Sequence, residues 1–314
     1  MTNRIQRFIA FLLVLCIPIF AIAGCTNNDV ANAANQVTTN ANGAYSIDTK
    51  TTTPEGKLDV YMLDIGQGDA ILLKVDDEYS MIDTGDIEHR ENIVAQLKAM
   101  GVTKLKNIII THPHADHMGG FYAIAKAMPI EHVYDDGIAV DNNMYKTYEK
   151  WIEKNKIQRT TLRSGDVVDF GHGAVFVVYA PWVEPLTDKK GETDLNNNSI
   201  VGKLIFGKFS MLFTGDAELQ EEKKLIKEQN SRLFSRILKV GHHGSRTSSS
   251  EDFLKSIKPE SALISNGMYN KYGHPHDVTL RRLQENNIAI YRTDTMGRIH
   301  ISTDGNEWQI TTER

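Results

Sequence analysis

The sequence contains only two cysteines in 314 residues, Cys16 and Cys25. Both lie near the N-terminus, so no disulfide framework can stabilise the rest of the chain. No long apolar run follows residue 24, and we therefore expect no membrane channel in this chain. Basic residues are not in excess either, because 35 lysines and arginines face 40 aspartates and glutamates. Nucleic-acid binding by bulk charge is thus excluded, which leaves a local basic groove as the remaining route.

The N-terminus has the order of a secretion signal. Arg4 and Arg7 precede an apolar stretch from Phe8 to Ile22, which is rather short for a membrane-spanning helix. Small residues then precede Cys25, and this order resembles the bacterial lipoprotein box, whose cysteine becomes the lipidated N-terminus. We expect a signal peptide at 1–24 and a lipid anchor at the extracytoplasmic face of the bacterial cell membrane. An uncleaved membrane anchor is the alternative.

The remaining chain divides into a tether and one folded domain. Residues 25–56 are rich in Asn, Thr and Ala and contain almost no large apolar side chain. Such a segment cannot bury enough surface to fold alone, so we predict a flexible tether. Strand and helix patterns begin at about residue 57, which places the folded domain at 57–314. Without the signal peptide the net charge is −7, since Arg4 and Arg7 leave with it.

The densest group of potential metal ligands lies between Thr111 and Gly120. It follows Ile108–Ile110, a β-branched run typical of a buried strand, and it contains Pro113, which favours a turn. We therefore predict a ligand-bearing loop at the carboxyl end of a strand. Imidazole and carboxylate together suit Zn, Mn or Fe. The candidate ligands are His112, His114, Asp116 and His117.

This HxHxDH pattern resembles the metal-binding signature of the metallo-β-lactamase fold. The resemblance implies that His112 and His114 serve one metal ion and that Asp116 and His117 serve a second. It implies a cofactor of two divalent ions, Zn or Mn. It also implies an α/β fold, the αββα sandwich, in which two mixed sheets pack face to face with helices outside.

Five further residues match positions of the same family. Asp83 matches a carboxylate that orients a metal-bound histidine. Asp216, in Thr-Gly-Asp, matches the residue that bridges the two ions. His242 matches the last metal ligand, whereas His243 is expected to orient or contact substrate. His274 is a candidate acid or phosphate contact on the substrate side.

Four short motifs narrow the resemblance to the extracellular domain of ComEC-type DNA-uptake proteins. They are DIGQGD at 64–69, KVGHHGS at 239–245, YGHPH at 272–276 and YRTD at 291–294. The resemblance covers roughly residues 57–312. From pattern alone, the first motif is equally consistent with a plain hairpin.

One position departs from the wider fold. Most of its enzymes place another histidine ahead of the strand that leads to the bridging aspartate, but here the segment 194–199 contains none. Asn196 is the candidate replacement, and the ComEC-type domain also carries Asn there. This leaves open which metal is used and whether both sites fill.

The expected reaction is metal-assisted hydrolysis with a metal-bound hydroxide as the nucleophile, which Asp116 helps to hold. The resemblance favours a phosphodiester, with DNA outside the cell as the preferred substrate. An imidazolium at His274, with Arg246 and Lys239, is expected to contact phosphate. Hydrolysis of a lactam, lactone or thioester is the alternative, and a non-catalytic metal-bound module in DNA uptake is the third possibility. The sequence names no protein partner.

A predicted helix at 141–156 carries Tyr145, Tyr148 and Trp151 on one side. This stripe is interpreted as core or cleft wall, with a stacking platform for nucleobases as the alternative. Four histidines outside the motifs are expected at the surface, and they are His89, His132, His172 and His300.

Overall fold

The computed structural model describes residues 37–39, 45–47, 54 and 56–314. The predicted signal peptide, Cys25 and most of the predicted tether lie outside these residues. Within the tether, β1 (Val37–Thr39) and β2 (Tyr45–Ile47) pair as antiparallel strands. Across the described ranges, no helix has the length and apolar character needed to cross a bilayer.

The first large sheet has eight strands and is mixed. Its order is β17-β16-β3-β4-β5-β6-β7-β8, antiparallel from β17 to β5 and parallel from β5 to β8. Its strands are β3 (Leu58–Met62), β4 (Ala70–Val75), β5 (Glu78–Thr84), β6 (Leu105–Ile109), β7 (Ile130–Asp135), β8 (Gln158–Thr161), β16 (Ile299–Thr303) and β17 (Trp308–Thr312).

The second sheet has seven strands and is also mixed. Its order is β15-β14-β13-β12-β11-β10-β9, antiparallel from β9 to β12 and parallel from β12 to β15. Its strands are β9 (Val167–Gly171), β10 (Ala174–Ala180), β11 (Val201–Phe206), β12 (Phe209–Phe213), β13 (Ile237–Lys239), β14 (Ser261–Ile264) and β15 (Ala289–Arg292).

Helices cover the outer face of each sheet. Those of the first half are α1 (Arg90–Ala99), α2 (Ala115–Met118), α3 (Phe121–Ala127) and α4 (Asn143–Asn155). Those of the second half are α5 (Leu219–Gln229), α6 (Glu251–Ile257), α7 (Asp277–Glu285) and α8 (Thr293–Met296). The predicted αββα sandwich is therefore confirmed.

Three apolar clusters hold these layers together, and β10 shows why. Phe176 and Val178 belong to the cluster between the two sheets, whereas Val177 and Tyr179 belong to the cluster under the outer helices. Alternate side chains of a strand point to opposite faces. Both faces are buried here, so the strand is apolar throughout instead of alternating with polar residues.

The carboxyl ends of four central strands meet at one edge of the sandwich. Asp83 lies next to the last residue of β5, and His112, Asp216 and His242 each come three residues after the end of β6, β12 and β13. The two halves are joined at this edge, because Ile200 N donates to Thr111 O at 2.8 Å. Crevices at the carboxyl ends of parallel strands are common places for ligand sites.

Two predicted features differ from the structure or are decided by it. The ligand stretch is not all loop, because His114 has extended backbone and α2 begins immediately after it. The stripe on α4 is core: Tyr148 is only 2% exposed, its hydroxyl donates to Asp135, and Arg159 donates to the hydroxyl of Tyr145. Neither tyrosine offers a free face to a nucleobase.

The expectation that the four histidines outside the motifs lie at the surface holds for His172, whereas His89, His132 and His300 are half-buried.

Candidate metal centre

Six predicted site residues converge at the edge described above. Three groups of nitrogen and oxygen donors lie there among the described residues, and within each group the donor atoms all lie within 4.8 Å of one another. One is Asp69, Asp83 and His117, and the other two, the donor groups, adjoin at Asp216. One donor group consists of His112, His114 and Asp216, and the other of Asp116, His117, Asp216 and His243.

Asp216 faces both groups with different oxygens. Its Oδ1 lies 3.1 Å from Nε2 of His117 and 3.6 Å from Nε2 of His243. Its Oδ2 lies 3.8 Å from Nε2 of His112 and 3.6 Å from Nε2 of His242. One buried carboxylate is thus placed to serve two ions, which is the role that the sequence assigned to it.

The donor atoms fit divalent metal ions. Asp216 Oδ1 and His117 Nε2 are buried and have no hydrogen-bond partner within the described part of the chain, although they lie 3.1 Å apart. Buried polar atoms are almost always paired, so convergent atoms that remain unpaired indicate a ligand. Imidazole and carboxylate donors suit Zn and Mn alike.

Asp83 orients His117. The Nδ1–H of His117 points at Asp83 Oδ2 at 2.8 Å, and Asp83 also accepts from the backbone N and hydroxyl of Thr111 at 2.7 and 2.8 Å. This arrangement fixes the tautomer and turns Nε2 toward Asp216. The structure thus places Asp83 beside the histidine that it was expected to orient. Its backbone is left-handed, with a φ of 58°.

The other first-half ligands are held by hydroxyl groups and by each other. Nδ1 of His112 lies 3.1 Å from the hydroxyl of Thr111 and 3.4 Å from that of Ser199. Its Nε2 is only 3.0 Å from Nδ1 of His114. His112 therefore presents Nε2 and His114 presents Nδ1 to the same point.

His243, and not His242, joins the group around Asp116. The Nδ1–H of His243 points at the backbone oxygen of Ser265 at 2.9 Å, so its Nε2 faces Asp116 Oδ2 at 3.2 Å. Both histidines of the pair have left-handed backbone, with φ of 48° and 52°. This turn buries the side chain of His243 and leaves that of His242 24% exposed.

His242 instead adjoins the group around His112. Its Nδ1 lies 3.0 Å from Glu218 Oε1, so its Nε2 is the nitrogen that faces Asp216. Glu218 also accepts from Thr247 Oγ1 at 3.0 Å and from Asn196 Nδ2 at 3.4 Å. Asn196 thus donates its amide N–H to Glu218, whereas its Oδ1 is buried and has no hydrogen-bond partner among the described residues.

Asp69, the last residue of DIGQGD, is a site residue that sequence reasoning missed. Lys239 Nζ lies 2.6 Å from Asp69 Oδ2, and Nδ1 of His243 lies 3.5 Å from Asp69 Oδ1. Burial raises the pKa of Asp69, but Lys239 and His243 outweigh it and lower that pKa to about 2. The expected phosphate contact by Lys239 is wrong, because its side chain is 1% exposed and is paired with Asp69.

The glycine before Asp69 is required by close packing. A Cβ on Gly68 would lie 2.4 Å from the backbone oxygen of Asp116, and its φ is +114°. Asp69 N donates to that same oxygen at 3.0 Å. The motif does form the turn of the β3–β4 hairpin, but it also supports the helix that carries Asp116.

Carboxylates set the charge on two of the histidines. Burial lowers the pKa of His243, but Asp216 and Asp69 outweigh it and raise that pKa to about 10. In the same way, Asp216 and Asp83 overcome burial and hold the pKa of His117 well above its usual value. Only neutral imidazole binds a metal ion, so metal uptake at neutral pH must release protons from these rings.

His274 lies at the open rim of the centre. Its ring is 5.5 Å from that of His242, 6.3 Å from that of His243 and 5.6 Å from the stacked ring of Tyr272. Burial and the neighbouring histidines lower the pKa of His274 to about 4. The expected imidazolium is therefore wrong, and the ring is a neutral group with one N–H to donate.

Sequence comparison identifies the family that this arrangement matches. The model for the metallo-beta-lactamase superfamily matches residues 63–267. That range contains every donor of the two groups.

Curated relatives and a solved structure agree with that match. The chain is 30% identical over 247 residues to "Competence protein ComA" of Neisseria gonorrhoeae, covering 78% of this chain and 32% of that protein. It is 30% identical over 264 residues to "ComE operon protein 3" of Bacillus subtilis, covering 78% of this chain and 33% of that protein. The chain thus spans about a third of the length of these relatives.

The fold is also similar to that of YhfI, a metallo-beta-lactamase fold protein from Bacillus subtilis. The TM-score is 0.52 at 10% identity, and the match covers 79% of this chain and all of that one. At this identity the likeness concerns the fold alone.

Proposed function

Because this chain belongs to the metallo-β-lactamase superfamily, we propose that it is a phosphodiesterase acting on DNA outside the cell or on a related phosphodiester. It is a metal-dependent hydrolase of that superfamily. The relative named "Competence protein ComA" supports a substrate connected with DNA uptake. The observation that carries the proposal is the position of Asp216 between two donor groups, since paired ions suit displacement at phosphorus.

The residues divide into those that bind ions and those that hold the ligands in place. Nε2 of His112 and Nε2 of His242 face Oδ2 of Asp216, while Nε2 of His117 and Nε2 of His243 face Oδ1. Divalent ions at such sites lower the pKa of bound water and stabilise charge that develops on oxygen. Asp83 and the Ser265 carbonyl fix the tautomers, so the ligand nitrogens are aimed before any ion arrives.

His274 is the group we assign to the substrate side. It is half-buried at the rim, and its neutral ring can donate one hydrogen bond to a phosphate oxygen. Arg246 follows the His242-His243 turn, and its exposed guanidinium is suited to a phosphate. Asp116, 3.2 Å from His243, completes the inner wall.

We further propose that the domain acts at the extracytoplasmic face of the membrane. The support is the order of basic residues, apolar stretch and Cys25 at the N-terminus, together with the polar segment that follows it. A lipid at Cys25 and a tether would hold the hydrolase beside incoming DNA.

The test compares three substrates with the same metal-loaded protein. Wild-type protein with Mn or with Zn is assayed against DNA, bis-p-nitrophenyl phosphate and a chromogenic lactam, with Asp216→Ala as the variant expected to lose both ions and all turnover. We expect hydrolysis of the two phosphodiesters and none of the lactam. Lactam cleavage without phosphodiester cleavage would overturn the assignment. Metal binding with no turnover of any substrate would favour a non-catalytic module.

A further inference from the structure

A cleft beside the metal centre has a charge opposite to that of the whole chain. It has a volume of about 770 Å³ and lies between α5, the segment 246–250 and α7. Its basic lining residues are Lys223, Lys224, Lys227, Arg246 and Arg282, against the acidic Glu218 and Glu228. The chain as a whole carries a net charge of −5.

The acidic side chains of the cleft are already engaged, whereas several basic ones are not. Glu218 accepts from His242 and Thr247, and Glu228 accepts from the indole N–H of Trp182. Lys223 and Lys227 are exposed and form no ion pair with any residue that the structure describes. Free positive charge therefore dominates the cleft.

The two lysines lie on one face of α5. Lys227 comes four positions after Lys223, which is about 6 Å along a helix. This distance is comparable with the spacing of neighbouring phosphates on a nucleic-acid strand. Like charges at this spacing destabilise a helix. An anionic ligand that bridges both lysines would offset that repulsion.

The cleft is continuous with the metal centre. Glu218 lines it and also bonds to His242, and Thr247 lines it and bonds to Glu218. On the other side, Arg246 N donates to His276 Nδ1 at 3.1 Å, and the His276 ring is 4.9 Å from that of His274. A polynucleotide whose phosphodiester lies at the metal centre would continue directly into the cleft.

We propose that this cleft binds the phosphate backbone of a polynucleotide on one side of the scissile phosphodiester. The inference rests on the proposed function and deepens it, because it makes the substrate a polymer and not a small phosphodiester. Binding depends on charge and not on base identity, since the lining supplies ammonium and guanidinium groups to phosphate oxygens. A locally basic cleft also explains how a chain of net negative charge can hold DNA.

The test is the double variant Lys223→Gln, Lys227→Gln in the full-length protein. Binding of a fluorescein-labelled single-stranded oligodeoxynucleotide is measured by anisotropy over a range of salt concentrations. Each phosphate contact to a single strand contributes about 0.7 to the slope of log affinity against log salt, so the slope should fall by roughly 1.4. The ratio of kcat/KM for the oligonucleotide to that for bis-p-nitrophenyl phosphate should fall about tenfold.

The matched control is Lys98→Gln, Lys126→Gln, which removes two exposed lysines from α1 and α3 on the opposite face. It should leave the slope and the ratio at the wild-type values. Circular dichroism and metal content check that both double variants are folded. A slope equal to that of the control would overturn the proposal, as would an equal loss on both substrates.

Failure of the cleft and failure of the proposed function give different results. A reduced slope in a protein that hydrolyses neither substrate would support the cleft and remove the phosphodiesterase assignment. An unchanged slope in a protein that cleaves DNA would support the phosphodiesterase assignment and overturn the role of the cleft. Vesicles of phosphatidylglycerol are the second probe, and loss of vesicle binding alone would assign the cleft to a membrane surface and overturn the inference.

Discussion

Glu218 Oε1 lies 3.0 Å from Nδ1 of His242, and this contact decides which nitrogen of the imidazole faces Asp216. Glu218 also contacts Asn196, which stands at the sequence position where we expect the wider fold to carry a histidine. Asn196, the residue in that slot, donates its amide N–H to Glu218, and its Oδ1 has no hydrogen-bond partner among the described residues. We infer that His242, held by Glu218, supplies the donor that the missing histidine would have given.

The first prediction is that Glu218→Ala weakens the binding of one of the two metal ions. Loss of a carboxylate that orients a ligand histidine typically costs 10- to 100-fold in metal affinity. The ion beside Asp116, His117 and His243 should keep its affinity, since Glu218 contacts none of these residues. Calorimetric titration with Mn or Zn should therefore separate into one weakened and one unchanged step.

Glu228→Ala is the control for that measurement. Glu228 lies on α5, which begins immediately after Glu218, and it accepts a hydrogen bond from Trp182, away from the ligands. It should titrate like the wild type. Equal weakening of both steps by Glu218→Ala, or no weakening at all, would contradict the role given to His242.

The second prediction is that His274→Ala lowers turnover and leaves metal content intact. Its ring lies at the rim and belongs to neither donor group, so both ions should remain. Loss of one positioned donor near developing charge should cost roughly 10²-fold in kcat. Elemental analysis and kcat on bis-p-nitrophenyl phosphate measure the two effects.

His172→Ala serves as the matched histidine variant, because His172 is exposed and pairs with Asp76 far along the first sheet. It should change neither quantity. A loss of metal in His274→Ala as large as the loss of turnover would show that His274 is a ligand and not a substrate contact.

The sequence predicted the ligands that follow strand ends and failed where distant segments meet. His112, His114, Asp116 and His117 lie within six positions, so a strand pattern and a turn were enough to place them. The pairing of Glu218 with His242 joins residues 24 positions apart, and that of Asp69 with Lys239 joins two halves of the chain. No local pattern reports such contacts.

The histidine pair shows a second limit. A strand followed by a Gly turn predicted that His242 and His243 would lie at the site. The resemblance implied that His242 is the last metal ligand and that His243 contacts substrate, whereas in the structure His243 is the one that faces Asp116. That choice depends on two consecutive left-handed residues, a conformation that ordinary residues rarely adopt and that functional sites often contain. The basic cleft could not be predicted for a related reason. Its lysines and arginines come from three segments of the sequence, and acidic residues outnumber basic ones in the chain as a whole.

The third prediction concerns Cys25, which lies outside the described residues. If it is the lipidated residue, Cys25→Ser should release the domain from the membrane or block its processing. One acyl chain anchors only marginally, so a lipoprotein depends on the full modification at this residue. Membrane fractionation and intact mass measure both effects. A variant that stays in the membrane at its normal size would show an uncleaved helix instead.

The last prediction concerns a half-buried lysine remote from the centre. Lys203, on β11, donates to the backbone oxygens of Arg232 and Phe234 at 2.6 and 3.2 Å. Burial, with a smaller contribution from Arg232, lowers the pKa of Lys203 from 10.5 to about 8. The folded state therefore releases this proton at lower pH than the unfolded state does.

Between pH 8 and pH 10.5, unfolding takes up a proton at Lys203, so this residue makes stability rise with pH, by up to about 1.4 kcal/mol per pH unit. Below pH 8 Lys203 is charged in both states, and its desolvated charge then destabilises the folded state by the full amount. Lys203→Met should remove this slope. The variant also loses the two carbonyl hydrogen bonds, which changes its stability, but the difference in slope reports only the proton that Lys203 takes up on unfolding. Urea unfolding of the wild type and Lys203→Met at pH 8 and pH 10 gives that difference, with the exposed Lys208→Met as control. Identical slopes in all three proteins would contradict the shifted pKa.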